Sequence, residues 1–223
     1  MAANDHAEVV LLDLWASPFG QRVRIALEEK GVEYEYMEQD MINKSTLLIE
    51  SNPVYKKIPV LIHHGKPVCE SLVIVQYIDE VWSHKAPLLP GEPFARAQAR
   101  FWADFIDKKI YECTTRLWKC KGEALEEAKK DFMEIVKTLE VELGDKTFFN
   151  GDTFGFVDVA LVPFFGRFNA YEKIANFNIE KECPKIVAWG RRCMHRDSVS
   201  KILPDDQKIY EFLLMLRKYL GVE

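Results

Sequence analysis

The chain has 223 residues, enough for one large domain or two smaller ones. Hydrophobic residues make up 48% and charged residues 29%, the balance of a globular protein with its own core. With 30 Lys and Arg against 35 Asp and Glu, the net charge of −5 leaves no basic excess for a nucleic-acid partner, and no apolar run nears the roughly 20 residues of a membrane span.

The first ten residues, MAANDHAEVV, carry Asp5 and Glu8 and lack a basic segment, so no secretory signal and a cytoplasmic location are expected. Cys69, Cys113, Cys120, Cys183 and Cys193 are an odd, scattered set without CxxC spacing, which suits reduced thiols; no bound metal is expected. Residues 8–15, EVVLLDLW, form an apolar run of strand length. A helix follows over 17–30, with Ser17–Pro18 as an N-cap and first-turn pair and Gly31 as its stop. Residues 32–39, VEYEYMEQ, alternate with the period of a strand, so the first three elements predict a parallel βαβ unit. Residues 44–52 read as a short helix halted by Pro53. Residues 58–69 read as two strands turning at His64–Gly65, and 71–82 as a helix capped by Ser71.

HKAPLLPGEP, residues 84–93, packs three prolines and a glycine into ten positions and reads as a linker. Beyond it no convincing strand appears. Phe94, Ala97, Phe101 and Phe105 share one helical face, as do Leu125, Phe132, Val136, Leu139 and Leu143 in the next segment. Residues 155–176, 184–197 and 206–219 are further helices. The expected organisation is a small α/β domain over 1–83, a linker over 84–93 and an all-helical domain over 94–223.

Three features bear on chemistry. Ser17 is well explained as a helix cap, and no histidine–aspartate pair stands ready to make it a nucleophile. Pro59 opens a strand directly after Ile58, at a place where a missing N–H is tolerated; the isomer of that bond is open. Glu70 and Ser71 stand together at a helix start. The hydroxyl and helix amides suit an anion and the carboxylate suits a cation, so the pair fits the head of a free α-amino acid; a plain capped helix is the alternative.

The stretches WASPFGQRVRIALEEKGVEYEYMEQD, NKSTLLIESNPVYKKIPVLIHHGKPVCESLVIVQYIDE and LLPGEPFARAQARFWADFID resemble the cytosolic glutathione transferases, most closely the plant tau class. The resemblance covers essentially the whole chain. It implies a thioredoxin-like α/β N-terminal domain, an all-α C-terminal domain and a homodimer. It also implies conjugation of glutathione, a co-substrate with no permanently bound cofactor beside it, to small hydrophobic electrophiles such as xenobiotics and stress-derived products. By position, Ser17 matches the catalytic serine. Lys44 and Lys57 match the lysines facing the glycine carboxylate, and Ile58, ahead of the family's cis-proline Pro59, matches the residue whose backbone pairs with the cysteinyl part. Glu70 and Ser71 match the pair holding the γ-glutamyl head. The family's acceptor pocket would draw on Trp15, Phe19, Tyr111, Thr115, Phe212 and Leu216, which as plain sequence are equally good core residues.

Two departures stand out. GFVD places Gly155, with no side-chain oxygen, where the superfamily often has Ser or Thr before the buried acid of a core helix; Asp158 is then a folding residue. Ser17 stands where thiol-reducing relatives carry cysteine, which favours conjugation, with hydroperoxide reduction as a side activity. The alternative is a ligandin-type carrier of hydrophobic metabolites with little turnover.

Overall fold

The computed structural model of the protein describes residues 8–85 and 87–222. Residues 1–7, with most of the segment read for a secretory signal, and residues 86 and 223 lie outside it. The chain divides into two compact units, one ending at Pro87 and the other beginning at Leu88.

The first unit runs β1 (Val9–Asp13), α1 (Pro18–Lys30), β2 (Glu35–Glu38), α2 (Thr46–Ser51), β3 (Val60–His63), β4 (Lys66–Cys69) and α3 (Ser71–Val81). The sheet order is β2-β1-β3-β4. β1 and β2 are parallel, with Asp13 opposite Glu38. β3 runs against both β1, Leu12 facing Val60, and β4, Val60 facing Cys69. The sheet is buried on both faces. Leu12 and Val60 pack on Leu48 of α2. Leu11 and Leu61, which strand alternation turns the other way, are equally buried. α1 and α3 pack on each other. At the C-terminal end of α1, Gly31 takes the left-handed conformation (φ 61°) and donates its N–H to the carbonyls of Leu27 and Glu28. There Lys30, fully buried, meets Asp79 of α3 at 2.6 Å.

This unit departs from the sequence reading in two ways. The second strand is confined to Glu35–Glu38, half the alternating stretch, because pairing with β1 ends there. Ser71 is not the cap of α3: Glu70 occupies that position with no side-chain capping bond, and Ser71 is the first helical residue.

The second unit is helical: α4 (Pro93–Lys119), α5 (Gly122–Leu143), α6 (Phe156–Phe165), α7 (Phe168–Ala175), α8 (Pro184–Met194), α9 (Asp197–Ser200) and α10 (Asp206–Tyr219). The expected helix over 155–176 is two, separated at Gly166 and Arg167, and that over 184–197 stops at Met194 before the separate α9. α4 begins inside the Pro-rich segment, where both carboxylate oxygens of Glu92 accept first-turn amides, from Phe94 at 2.8 Å and Ala95 at 2.6 Å.

The Phe94 stripe of α4 does not face the core. Phe94 is 70% and Phe101 57% exposed, while Ala99, Ala103, Ile106, Ile110, Cys113 and Leu117 are buried. Both sets are apolar at helical spacing. The set with two alanines is the one α5, α6 and α7 cover, because small side chains let helices approach closely.

Asp158 of α6 is fully buried. Its Oδ2 accepts from Gly155 N at 2.9 Å, and its Oδ1 from Phe149 N at 3.0 Å and Trp189 Nε1 at 2.7 Å. The carboxylate thus makes the returning half of a capping box, to the amide of the N-cap residue Gly155, and ties α6 to α8. Burial still pushes its pKa up to about 6. All five cysteines are free thiols. No helix among the described residues is long and apolar enough to cross a membrane.

Candidate active site

Strand direction alone gathers most of the expected residues. β1 and β2 run in parallel, β3 runs against them, and β4 runs back with them. The ends of β1, β2 and β4 and the start of β3 therefore lie at one edge of the sheet. The segment after β1 carries Ser17, that after β2 carries Lys44, that before β3 carries Lys57 and Ile58, and that after β4 carries Glu70 and Ser71. Ligands of open α/β sheets bind beyond strand ends in the same way.

Ser17 leaves β1 in extended backbone (φ −78°, ψ 118°) and caps α1, its Oγ accepting from Gly20 N at 3.2 Å. Its own amide donates to Leu14 O at 2.8 Å, which holds the turn. The first turn of α1 contains no acid, so the positive end of this 13-residue helix is not neutralised there. A hydroxyl that accepts one bond still has a proton to donate. Capping and donation are therefore compatible at one oxygen.

Lys44 and Lys57 are exposed, and Lys44 Nζ donates to Lys56 O at 2.8 Å, which brings its ammonium to the loop that carries Lys57. Asn52 Nδ2 donates to Lys57 O at 3.0 Å and shapes the same loop. The Ile58–Pro59 peptide bond is cis, and Val60 begins the strand immediately after it.

Glu70 is exposed and held at φ 70°, ψ 116°, unusual for a residue with a Cβ. Such backbone costs on the order of 1–3 kcal/mol. Ser71, buried, accepts from Arg22 Nη1 at 3.0 Å.

Arg22 and Asp13 are buried charged residues beside Ser17 and Ser71 to which the sequence alone gave no role. Arg22 is fully buried, joins α1 to α3 through Ser71 and lies 5.1 Å from the centre of the Phe19 ring. Asp13, at the end of β1, is also fully buried, and neither carboxyl oxygen finds a hydrogen-bond donor in good geometry. Burial pushes its pKa up to about 7, with the Leu14 amide and the Arg24 charge pulling the other way. Arg22 lies in the first motif stretch and Asp13 just ahead of it, but a charge on an apolar strand or helix gives no sign of burial until its neighbours are known.

The residues expected in the acceptor pocket fall in both units. Trp15 and Phe19 are half-buried around the start of α1. Tyr111 is exposed and Thr115 half-buried one turn later on α4; Thr115 Oγ1 donates to Tyr111 O at 2.8 Å. Phe212 and Leu216 are half-buried, also one turn apart, on α10. α10 packs against α4, and Arg217 Nη1 donates to Trp118 O at 2.7 Å across that contact.

Two family models match the chain: the glutathione S-transferase N-terminal domain over residues 7–80 and the C-terminal domain over 122–192. The chain belongs to the glutathione S-transferase family. It is 62% identical over 216 residues to glutathione S-transferase U25 of Arabidopsis thaliana, covering 97% of this chain and 98% of that one. A rice glutathione S-transferase, solved in complex with glutathione, superposes with a TM-score of 0.93 at 52% identity, covering 95% of this chain and 97% of its own. A tau-class glutathione S-transferase from mango, Mangifera indica, gives 0.89 at 40%, covering 94% and 98%. The thioredoxin-like sheet followed by an all-helical unit is therefore the glutathione S-transferase fold, and the relationship is to its tau class. Relatives near 60% identity over almost the full length carry transferase names, which favours the enzyme over the carrier.

Proposed function

We propose that this glutathione S-transferase ionises the thiol of glutathione with Ser17 and adds the thiolate to hydrophobic electrophiles. The observation that carries the reading is the geometry of Ser17: its Oγ accepts from Gly20 N at the positive end of α1, whose first turn contains no acid of its own, and retains a proton to donate. A free thiol has a pKa of about 8.5, so lowering it by about two units takes roughly 2.7 kcal/mol. A hydrogen bond to a charged group contributes about 1.5–3 kcal/mol and a helix N-terminus about 0.3–1. The two together suffice. The sulfur then forms a bond to the electrophilic carbon while a leaving group departs with its electron pair, or while the carbon chain takes up a proton after addition.

The remaining residues bind. Glu70 pairs with the α-ammonium of the γ-glutamyl head, and Ser71 with the first amides of α3 receives its carboxylate. Arg22, bonded to Ser71, orients that hydroxyl and adds positive charge beneath it. Main-chain groups of Ile58 pair with the cysteinyl part. Lys44 and Lys57 face the glycine carboxylate. In the helical unit Tyr111, Thr115, Phe212 and Leu216 supply the apolar wall for the acceptor. The exposed face of Phe94, Ala97 and Phe101 supports assembly as a homodimer, since a contiguous apolar face of this kind is covered when a second copy docks.

Two substitutions test the role of Ser17. Ser17→Ala should lower kcat by roughly 30- to 150-fold, the equivalent of about 2–3 kcal/mol, while glutathione affinity changes by less than about threefold. Ser17→Asp keeps the cap but places a negative charge beside the sulfur, so it should fold at least as stably and lose activity. Thiolate absorbance of the binary complex against pH should show the thiol pKa rising in both. An active Ser17→Asp enzyme, or a Ser17→Ala enzyme altered only in its Michaelis constant, would leave Ser17 as a cap.

A further inference from the structure

We propose that Glu8, His63 and His64 form a binding site for a zinc-class divalent cation. The three ligand atoms, one carboxylate oxygen and two imidazole nitrogens, lie within 4.8 Å of one another. Glu8 Oε1 is 3.5 Å from His63 Nε2 and 3.1 Å from His64 Nε2. In a tetrahedron with zinc–ligand bonds of about 2.0–2.2 Å, neighbouring ligand atoms stand roughly 3.3–3.6 Å apart. The spacing is already close to that of one coordination edge. Two histidines and a glutamate, with the fourth position open to water, are a donor set that zinc takes.

No sequence spacing announces the site, because adjacent residues of a strand point to opposite faces. His64 escapes that rule. It lies in the turn after β3 at φ 49°, and this left-handed backbone brings its ring onto that of His63, with centroids 4.3 Å apart and nearly parallel. His64 N donates to Glu8 O at 3.0 Å, so the main chain fixes the carboxylate-bearing residue against the turn.

His63 is held as metal-bound histidines are. Its Nδ1 lies 2.8 Å from the hydroxyl of Tyr77 on α3, and its ring packs 5.0 Å from that of Trp82. The tautomer with its proton on Nδ1, donated to Tyr77, keeps a lone pair on Nε2, the nitrogen that lies 3.5 Å from Glu8 Oε1; such an outer partner fixes tautomer and ring orientation. His64 and Glu8 are about two-thirds exposed, so a cation has a path in.

The site lies at the edge of the sheet opposite Ser17, since His63 pairs with Val9 at the start of β1. A cation there would clamp the entry of β1 to the β3–β4 turn. It would stabilise the first unit and leave transfer to glutathione unchanged.

Titration calorimetry with zinc chloride at pH 7.5, in a phosphine reductant, tests this on the full chain. The expected result is one saturable site per chain, a raised melting temperature and unchanged conjugating activity. His64→Asn, whose new residue tolerates the left-handed turn, and Glu8→Gln should each weaken binding at least tenfold and abolish the thermal shift. Tyr77→Phe should weaken it about 10- to 100-fold, as loss of an outer partner does. Nitrogen chemical shifts of labelled histidines should move at Nε2 of residues 63 and 64. Absence of saturable binding at millimolar zinc overturns the site. So does binding of equal strength in His64→Asn and Glu8→Gln, which would assign the metal to the cysteines and leave Glu8 as a polar neighbour of the two imidazoles.

Discussion

The carboxyl group of Asp13 occupies the space where a side chain at Gly20 would begin: a Cβ added there would stand 1.7 Å from Asp13 Oδ1. The end of β1 and the first turn of α1 are locked together at this point, and the Gly20 amide is the donor that the Ser17 hydroxyl accepts. Gly20→Ala should therefore destabilise the protein by at least about 3 kcal/mol, the upper range of overpacking, and impair the Ser17 turn. Asp13→Ala in the same chain clears the space and should restore much of the loss. Urea unfolding of the single and double variants measures it; additive effects would show that the two residues do not share the space.

Asp13 should also shape stability against pH. Its pKa rises from an ordinary 3.8 to about 7 in the folded state. Between those values the folded protein holds a proton that the unfolded chain releases, so this residue's contribution to stability is full below the lower value and is lost as pH rises to about 7. Asp13→Asn removes that dependence. The stability of the variant relative to the natural sequence should grow by about 2–3 kcal/mol between pH 5 and pH 8. Parallel pH profiles would mean that Asp13 is ionised in the fold.

The buried Lys30–Asp79 pair joins the end of α1 to α3. Asp79→Asn leaves an ammonium buried opposite a neutral amide and should cost about 3–5 kcal/mol. Replacing both residues, as Lys30→Met with Asp79→Leu, should recover most of it. Thermal and urea unfolding decide; a mild effect of Asp79→Asn would show that Lys30 finds other acceptors.

Phe94→Glu with Phe101→Glu places charge on the exposed face of α4 without touching its buried stripe. The natural sequence should sediment as a dimer and the double variant as a folded monomer. A natural sequence that is monomeric at micromolar concentration, or a double variant that stays dimeric, removes this face from assembly.

Phe212→Ala should change the ranking of hydrophobic acceptors of graded size and their Michaelis constants, with the glutathione constant nearly unmoved. Burial of apolar area at roughly 25 cal/mol per Å² sets the scale. A uniform fall in activity that follows a lower melting temperature would make Phe212 a core residue.

Local chemistry determined much of this protein from the sequence alone. Ser17–Pro18 before a periodic helix and Gly31 after it set the bounds of α1, because caps act on the nearest amides and carbonyls. The alternation of residues 32–39 and the turn at His64–Gly65 marked a parallel unit and a hairpin, and the Pro-rich stretch held the point where one unit gives way to the next. The motif stretches named the family, and with it the residues proposed to hold glutathione.

Tertiary structure decided what depends on residues far apart in the chain. Two apolar stripes of α4 were equal as patterns, and only the close approach of α5, α6 and α7 selected the one with the alanines. Ser71 read as a cap, but it is the first helical residue of α3, and its oxygen accepts from Arg22, 49 residues away. The burial of Asp13 and Lys30 depends on what packs over them. The left-handed turn at His64 is a matter of backbone that periodicity does not record, and it is this turn that sets two adjacent imidazoles beside Glu8.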